Sequence, residues 1–262
     1  MSKVIGFYDS GIGGLPYLEW LKRHTTGCSF RYLAESRHFP FGTKTEPEIK
    51  AIVIESIGRF IESEHPDLIV IACNTASVTA LAELRKKYSI PFVGVVPAIK
   101  PAAGVSKKKA IGLFATNKTV SQLYTQNLID TFASGCRVSK FAMPEIVAFV
   151  EKNIFNATEE EIEKIITPAA DFFKKEGVDT VILGCTHFVY LEEPFKKVLG
   201  KNISVIDSRE GVGNRAITLL EKIKDHNYDA KGDMFFVTSV EKMPGNYKSI
   251  SGRYGLSFGG EI

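Results

Sequence analysis

Cys73 and Cys185 occupy matching settings in the chain. The first lies in Asp67-Leu68-Ile69-Val70-Ile71-Ala72-Cys73-Asn74-Thr75, the second in Asp179-Thr180-Val181-Ile182-Leu183-Gly184-Cys185-Thr186-His187. Each run has an acidic start, four mainly apolar residues and one small residue. Cys follows, then side chains that form hydrogen bonds. A free thiol has a pKa of about 8.5, so only a few per cent is thiolate at neutral pH. Helix N-termini and polar neighbours lower that value. Two opposed thiols can take a proton from one face of a carbon and return one to the other, which inverts the centre. A hydrolytic nucleophile would need one Cys with a His, leaving the second thiol redundant.

Short apolar runs feeding helices read as buried parallel strands with their crossovers. Helix-like segments follow both cysteines, at Ala80–Tyr88 and Leu191–Leu199. Ligands of open α/β sheets bind outside the carboxyl ends of the strands. Both thiols are therefore expected at ligand-facing strand ends, one in each of two related halves. Strands are expected at Val4–Tyr8, Phe30–Leu33, Leu68–Ala72, Phe92–Val95, Ala110–Phe114, Val138–Phe141, Thr180–Leu183 and Ser204–Ile206. Helices are expected at Glu46–Glu64, Thr119–Thr131, Glu159–Lys175 and Glu210–Lys224. Capping boxes are read at Thr158–Glu161 and Thr119–Gln122, and Gly177 reads as a helix-ending glycine.

This alternation implies α/β architecture. The expected fold has two similar domains of mostly parallel sheets flanked by helices, related by a pseudo-two-fold, with the active site in the cleft between them. Residues 1–96 with 208–262 form the first domain, carrying Asp9 and Cys73. Residues 97–207 form the second, carrying Cys185 and His187. A late strand in Asp233–Thr238 returns to the first domain, and the Gly-rich end from Gly245 to Ile262 reads as partly loose.

Composition sets limits. The 262 residues carry a net charge of +3, too mild a balance to indicate nucleic acid or a membrane surface. No apolar run is long enough for a membrane span. The start runs straight into a strand without a leader, which makes the cytoplasm the expected location. Lys107-Lys108-Lys109 reads as a solvated loop. No C-x-x-C pair occurs among the four cysteines, so zinc and thioredoxin motifs lack their spacing and no metal is expected. Cys28 and Cys136 read as small buried hydrophobes.

Other candidate residues lie at strand ends. Asp9-Ser10-Gly11-Ile12-Gly13-Gly14 ends the first strand. Its glycines let backbone N–H groups approach an anion at a helix start. The alternative is a tight turn with a capping Asp. The third glycine comes too early for G-x-G-x-x-G. Pro40-Phe41-Gly42 follows the second strand and reads equally as a donor loop or an ordinary turn. Thr116 and Thr119 follow the fifth strand, with a helix cap at Thr116 or Asn117 as the competing reading.

In these motifs the sequence resembles the glutamate racemases, within the cofactor-independent aspartate/glutamate racemase superfamily. The carrying stretches are Phe7–Leu15, Ala72–Ala76 and Leu183–His187, supported by Gly94–Pro101 and Ile206–Ser208. The resemblance covers nearly the whole chain and weakens after about residue 240. It implies that Cys73 and Cys185 are the catalytic acid/bases, one attacking D-glutamate and the other L-glutamate, assisted by Asp9 and His187. It implies that Ser10, Asn74, Thr75 and Thr186 hold the substrate, with Phe41, Gly42, Thr116, Thr119 and Glu151 as further contacts. No cofactor is implied. The expected partners are glutamate and a second copy in a homodimer, in a pathway that provides D-glutamate for peptidoglycan. Phe41, His38 and Met143 depart from the residues common in that family, which are Tyr, Arg and Cys. Aspartate racemases are the near alternative, but they place a His where this chain has Ser77. Hydantoin racemases and maleate isomerases share the scaffold and fit less well. A two-domain small-anion binding protein is the alternative of another class.

Overall fold

The computed structural model describes residues 3–224 and 232–262. The chain divides into two compact units, Met1–Val95 with Arg209–Ile262, and Val96–Ser208.

The first unit begins with β1 (Lys3–Asp9), α1 (Leu15–His24), β2 (Cys28–Ala34), α2 (Glu46–Glu64), β3 (Leu68–Ile71), α3 (Asn74–Lys87) and β4 (Phe92–Gly94). The second unit comprises α4 (Ile99–Val105), β5 (Ala110–Ala115), α5 (Asn117–Ser121), α6 (Leu123–Phe132), β6 (Arg137–Ala142) and α7 (Glu145–Asn153). It continues with α8 (Glu159–Lys175), β7 (Thr180–Leu183), α9 (Glu192–Leu199) and β8 (Ser204–Ile206). The chain then returns to the first unit with α10 (Arg209–Leu220), β9 (Met234–Val237), α11 (Tyr247–Arg253) and β10 (Ser257–Glu261).

All strand pairs are parallel. The six-stranded sheet runs β10-β9-β2-β1-β3-β4 and the four-stranded sheet runs β6-β5-β7-β8. The order β2-β1-β3-β4 in one repeats as β6-β5-β7-β8 in the other. In each sheet the chain reverses direction across the sheet at its third strand, which opens a crevice beside the carboxyl ends of β1 and β3, and of β5 and β7. The continuous apolar runs follow from burial on both faces: every residue of Leu68–Ile71 and Thr180–Leu183 is buried.

Local signals fix several helix starts. Thr158 and Glu161 form a capping box, and Thr45 with Glu48 forms a second, which opens α2. Gly177 takes φ 63° just past α8, where a Cβ would be strained. In the second unit the buried Phe114 ring lies 4.6 Å from that of Phe188 and 5.1 Å from that of Phe195.

Four expectations need correction. The helix expected over Thr119–Thr131 is two helices broken at Gln122, whose extended backbone ends α5 before α6 begins. The capping box expected at Thr119 is not formed, because Thr119 lies inside α5 and its hydroxyl meets that of Thr116 at 3.3 Å. The Gly-rich end is ordered: α11 and β10 cover it, and β10 pairs with β9. Here Phe258 stacks with Phe235 at 6.3 Å, so aromatic packing outweighs the weak propensity of the glycines. Cys28 and Cys136 are half-buried rather than core residues. Among the described residues no helix is long and apolar enough to cross a membrane.

Candidate active site

Both cysteines stand two residues past the end of a strand, β3 or β7, in one shared register. Asp67 N donates to Val4 O at 2.8 Å below β3, and Asp179 N donates to Ala110 O at 3.0 Å below β7. At the upper ends, Ala72 N donates to Tyr8 O at 2.7 Å and Gly184 N donates to Phe114 O at 2.8 Å. Each small residue thus pins the strand end to the central strand just before its Cys. Gly184 has a steric reason: a Cβ there would lie 2.7 Å from Leu113 Cδ1.

Cys73 and Cys185 both hold extended backbone, with φ/ψ of −134°/121° and −140°/140°. Each immediately precedes a helical turn, α3 for Cys73 and the 3₁₀ turn Thr186–Leu191 for Cys185. The residues are 6% and 9% exposed. Burial with a small opening suits a thiol that meets a ligand but not bulk water.

The first unit gathers Asp9, Ser10, Cys73, Asn74 and Thr75 at one strand-end crevice. Asp9 is fully buried at the end of β1, and its Oδ1 accepts from Gly11 N at 2.7 Å. This bond folds the tight turn after β1, but Asp9 does not cap the helix: α1 begins at Leu15 with Gly14 as its N-cap and no side-chain cap. The Cys73 thiol donates to Ser10 Oγ at 3.7 Å. Asn74 Oδ1 is buried and accepts no hydrogen bond. Thr75 is half-buried on the first turn of α3. Gly14 closes the turn where a Cβ would lie 2.6 Å from that of Ala72. Phe41 is buried in the core that also holds Cys73, in a short 3₁₀ turn with Gly42, which is exposed.

The second unit gathers Thr116, Thr119, Glu151, Cys185, Thr186 and His187. Thr186 and His187 are buried in the turn that follows Cys185. His187 Nε2 donates to Glu151 Oε1 at 2.6 Å, with both residues buried. A carboxylate can only accept, so the pair fixes a proton on Nε2 and orients the ring. Thr116 caps α5 without a side-chain bond of its own to the helix amides.

Sequence reasoning missed three polar residues behind the first crevice. Tyr32 holds the Asp9–Gly14 turn: its hydroxyl accepts from Gly14 N at 3.1 Å and donates to Gly11 O at 2.8 Å. Glu35 is fully buried just past β2. It accepts from Ser56 Oγ at 2.5 Å, Thr238 Oγ1 at 2.6 Å and His38 N at 3.2 Å. Tyr8 is fully buried next to Asp9. An acidic residue ending an apolar strand, as Asp9 does, was the available signal for Glu35.

Two parallel sheets with the same strand order and a thiol at each reversal point define a doubly wound α/β protein with two equivalently placed cysteines. Comparison with known proteins agrees. The chain belongs to the Asp/Glu/hydantoin racemase family, whose profile matches residues 19–210. A glutamate racemase of Shewanella loihica is 40% identical over 223 residues, covering 84% of this chain and 82% of the relative. One from Shewanella oneidensis is 38% identical over 251 residues, covering 92% and 90%. The crystal structure of Escherichia coli glutamate racemase, in complex with L-glutamate and the activator UDP-MurNAc-Ala, superposes with a TM-score of 0.90. It is 31% identical and covers 100% of this chain and 98% of that one.

Proposed function

We propose that this protein interconverts L- and D-glutamate without a cofactor, by proton transfer through Cys73 and Cys185. The carrying observation is the shared register of the two thiols at equivalent strand ends. A thiolate on one Cys breaks the Cα–H bond of glutamate and becomes a thiol. The electron pair stays on the α-carbon, next to the carboxylate. The thiol of the other Cys then delivers its proton to the opposite face and becomes a thiolate. The cycle needs two acid/bases of similar strength, one loaded and one empty, and a matched pair on duplicated scaffolds suits it.

The remaining residues take roles by their chemistry. Asp9 assists Cys73, and His187, oriented by Glu151, assists Cys185. Asn74 Oδ1, buried without a donor, supplies an acceptor for the substrate ammonium. Ser10, Thr75, Thr116, Thr119 and Thr186 offer hydroxyl groups to the carboxylates, beside Phe41 and Gly42. The product D-glutamate serves peptidoglycan synthesis in the cytoplasm and so cell shape, and the working form is a homodimer.

Incubation with L-glutamate in deuterated water tests this reading. Optical rotation should decay to zero while the α-proton signal disappears, without added pyridoxal phosphate. An anion-binding protein would leave both signals unchanged. L-Aspartate, offered under the same conditions, separates the aspartate alternative.

A further inference from the structure

Strand β1 lies between β2 and β3. Tyr8 on β1 pairs in register with Leu33 on β2 and with Ile71 on β3. Alternate residues of a strand share a face. Two positions beyond Leu33 is Glu35, and two beyond Ile71 is Cys73. Tyr8 therefore stands between a buried carboxylate on one side and a candidate reactive thiol on the other. Tyr8, Cys73 and Phe41 share one core cluster.

The Tyr8 hydroxyl is fully buried and makes no hydrogen bond of ordinary geometry; the Ser56 hydroxyl, which already donates to Glu35, lies near enough to favour its ionised form slightly but does not close a bond. Buried hydroxyls are nearly always paired, so an unpaired one beside a reactive group calls for a reason. Burial, then the charges of Glu35, Cys73 and Asp9, hold its pKa well above the ordinary tyrosine value, against a smaller opposing effect of the Ser56 hydroxyl. Tyr8 is thus a neutral O–H at any physiological pH. Glu35 already accepts from Ser56, Thr238 and the amide of His38, and the His38 ring lies 3.0 Å from the same carboxylate oxygen. Its demand for a further donor is low.

We propose that Tyr8 is a positioning residue for Cys73, its hydroxyl turning toward the sulfur when that sulfur carries negative charge. This rests on the reading of Cys73 as an acid/base. The Cys185 setting has Phe114 at the position equivalent to Tyr8, since each residue's carbonyl accepts from the residue before a Cys. The two thiols are accordingly tuned by different means.

Alkylation by iodoacetamide, followed for each Cys separately by peptide mass spectrometry from neutral to alkaline pH, tests this. In Tyr8→Phe, Cys73 should react about fivefold more slowly at neutral pH, with its pH midpoint moved upward, as expected for a lost hydrogen bond to an anion. Cys185 should keep its wild-type profile. In Glu35→Gln, which removes the competing negative charge, Cys73 should react faster than in wild type. An unchanged Cys73 profile in Tyr8→Phe overturns the proposal, as does an equal shift of both cysteines. Should Tyr8→Phe not fold, 3-fluorotyrosine at position 8, a stronger O–H donor of nearly the same shape, should move the Cys73 midpoint downward and leave Cys185 unchanged, and an unmoved Cys73 midpoint overturns the proposal. Wild-type protein that fails to racemise glutamate would overturn the functional reading instead, while the Cys73 profile would still report on Tyr8.

Discussion

His187 Nε2 and Glu151 Oε1 meet at 2.6 Å inside the second unit, joining the turn after Cys185 to helix α7. Two buried polar groups are each satisfied by the other, and the imidazole has one orientation. Glu151→Gln keeps the shape but exchanges a charged acceptor for a neutral amide. Turnover should fall about a hundredfold, the lower end of the range for a general acid/base group. The loss should appear mainly in kcat, with the fold intact by circular dichroism. Steady-state kinetics in both directions across pH checks it.

Replacement of either thiol separates the two steps of the proposed reaction. Cys73→Ser and Cys185→Ser should each abolish conversion between enantiomers, because a serine hydroxyl is far too weak an acid/base at neutral pH. Near-normal racemisation by either variant would rule out the two-base assignment.

Asn74 makes a sharper test of substrate holding than the hydroxyl residues around it. Its Oδ1 is buried and accepts no bond in the protein. Asn74→Ala should therefore cost little stability, while KM for glutamate rises about tenfold, the loss of one hydrogen bond to a charged group. Thermal melting and initial rates on the same sample separate the two effects.

The start of β7 predicts a pH effect on stability. Burial would raise the Asp179 carboxyl, but hydrogen bonds from Ser106, the amides of Lys108 and Lys107 and Thr180 outweigh it and hold the pKa below the usual value. A carboxyl depressed in the folded state stabilises fully above its unfolded pKa, about 3.9. That contribution is lost as pH falls through the lower folded value. Asp179→Asn should be destabilised at neutral pH by about 1 kcal/mol, the value of a typical hydrogen bond. The gap to wild type should narrow in strong acid, as measured by urea unfolding at each pH.

Gly184→Ala is the steric counterpart. The new Cβ would meet Leu113 and Ala115, at 2.7 and 3.1 Å. Overpacking of this kind costs about 1–3 kcal/mol. It also displaces Cys185, so kcat should fall with the melting temperature, which calorimetry and kinetics measure together.

The sequence was most legible where burial on both faces imposes composition. Leu68–Ile71 and Thr180–Leu183 read as strands because their neighbours on both sides demand apolar side chains. The alignment of Asp67 with Asp179 and of Cys73 with Cys185 follows from spacing alone. Helix α7 went unread because Glu145–Asn153 is short and opens on Pro144 without a capping side chain. The Gln122 break was equally silent, with no Gly or Pro to mark it. At the C-terminal end, glycines at Gly255, Gly259 and Gly260 argued for looseness, yet Gly259 lets the Phe236 ring lie where a Cβ would be 2.3 Å away. Close approach, not freedom, explains that glycine. The layer of Tyr8, Glu35 and Thr238 was unreadable because the return of the late strand to the first domain does not by itself say that it pairs with β2.

That late return has a consequence for biosynthesis. The ribosome releases the four strands of the smaller sheet as one uninterrupted stretch, so this lobe can mature while translation continues. The larger sheet must wait: Glu35 lacks Thr238, and β2 lacks its outer neighbour, until β9 has been made. During that interval β2 is an open edge, with unpaired backbone donors and acceptors that β9 later takes up.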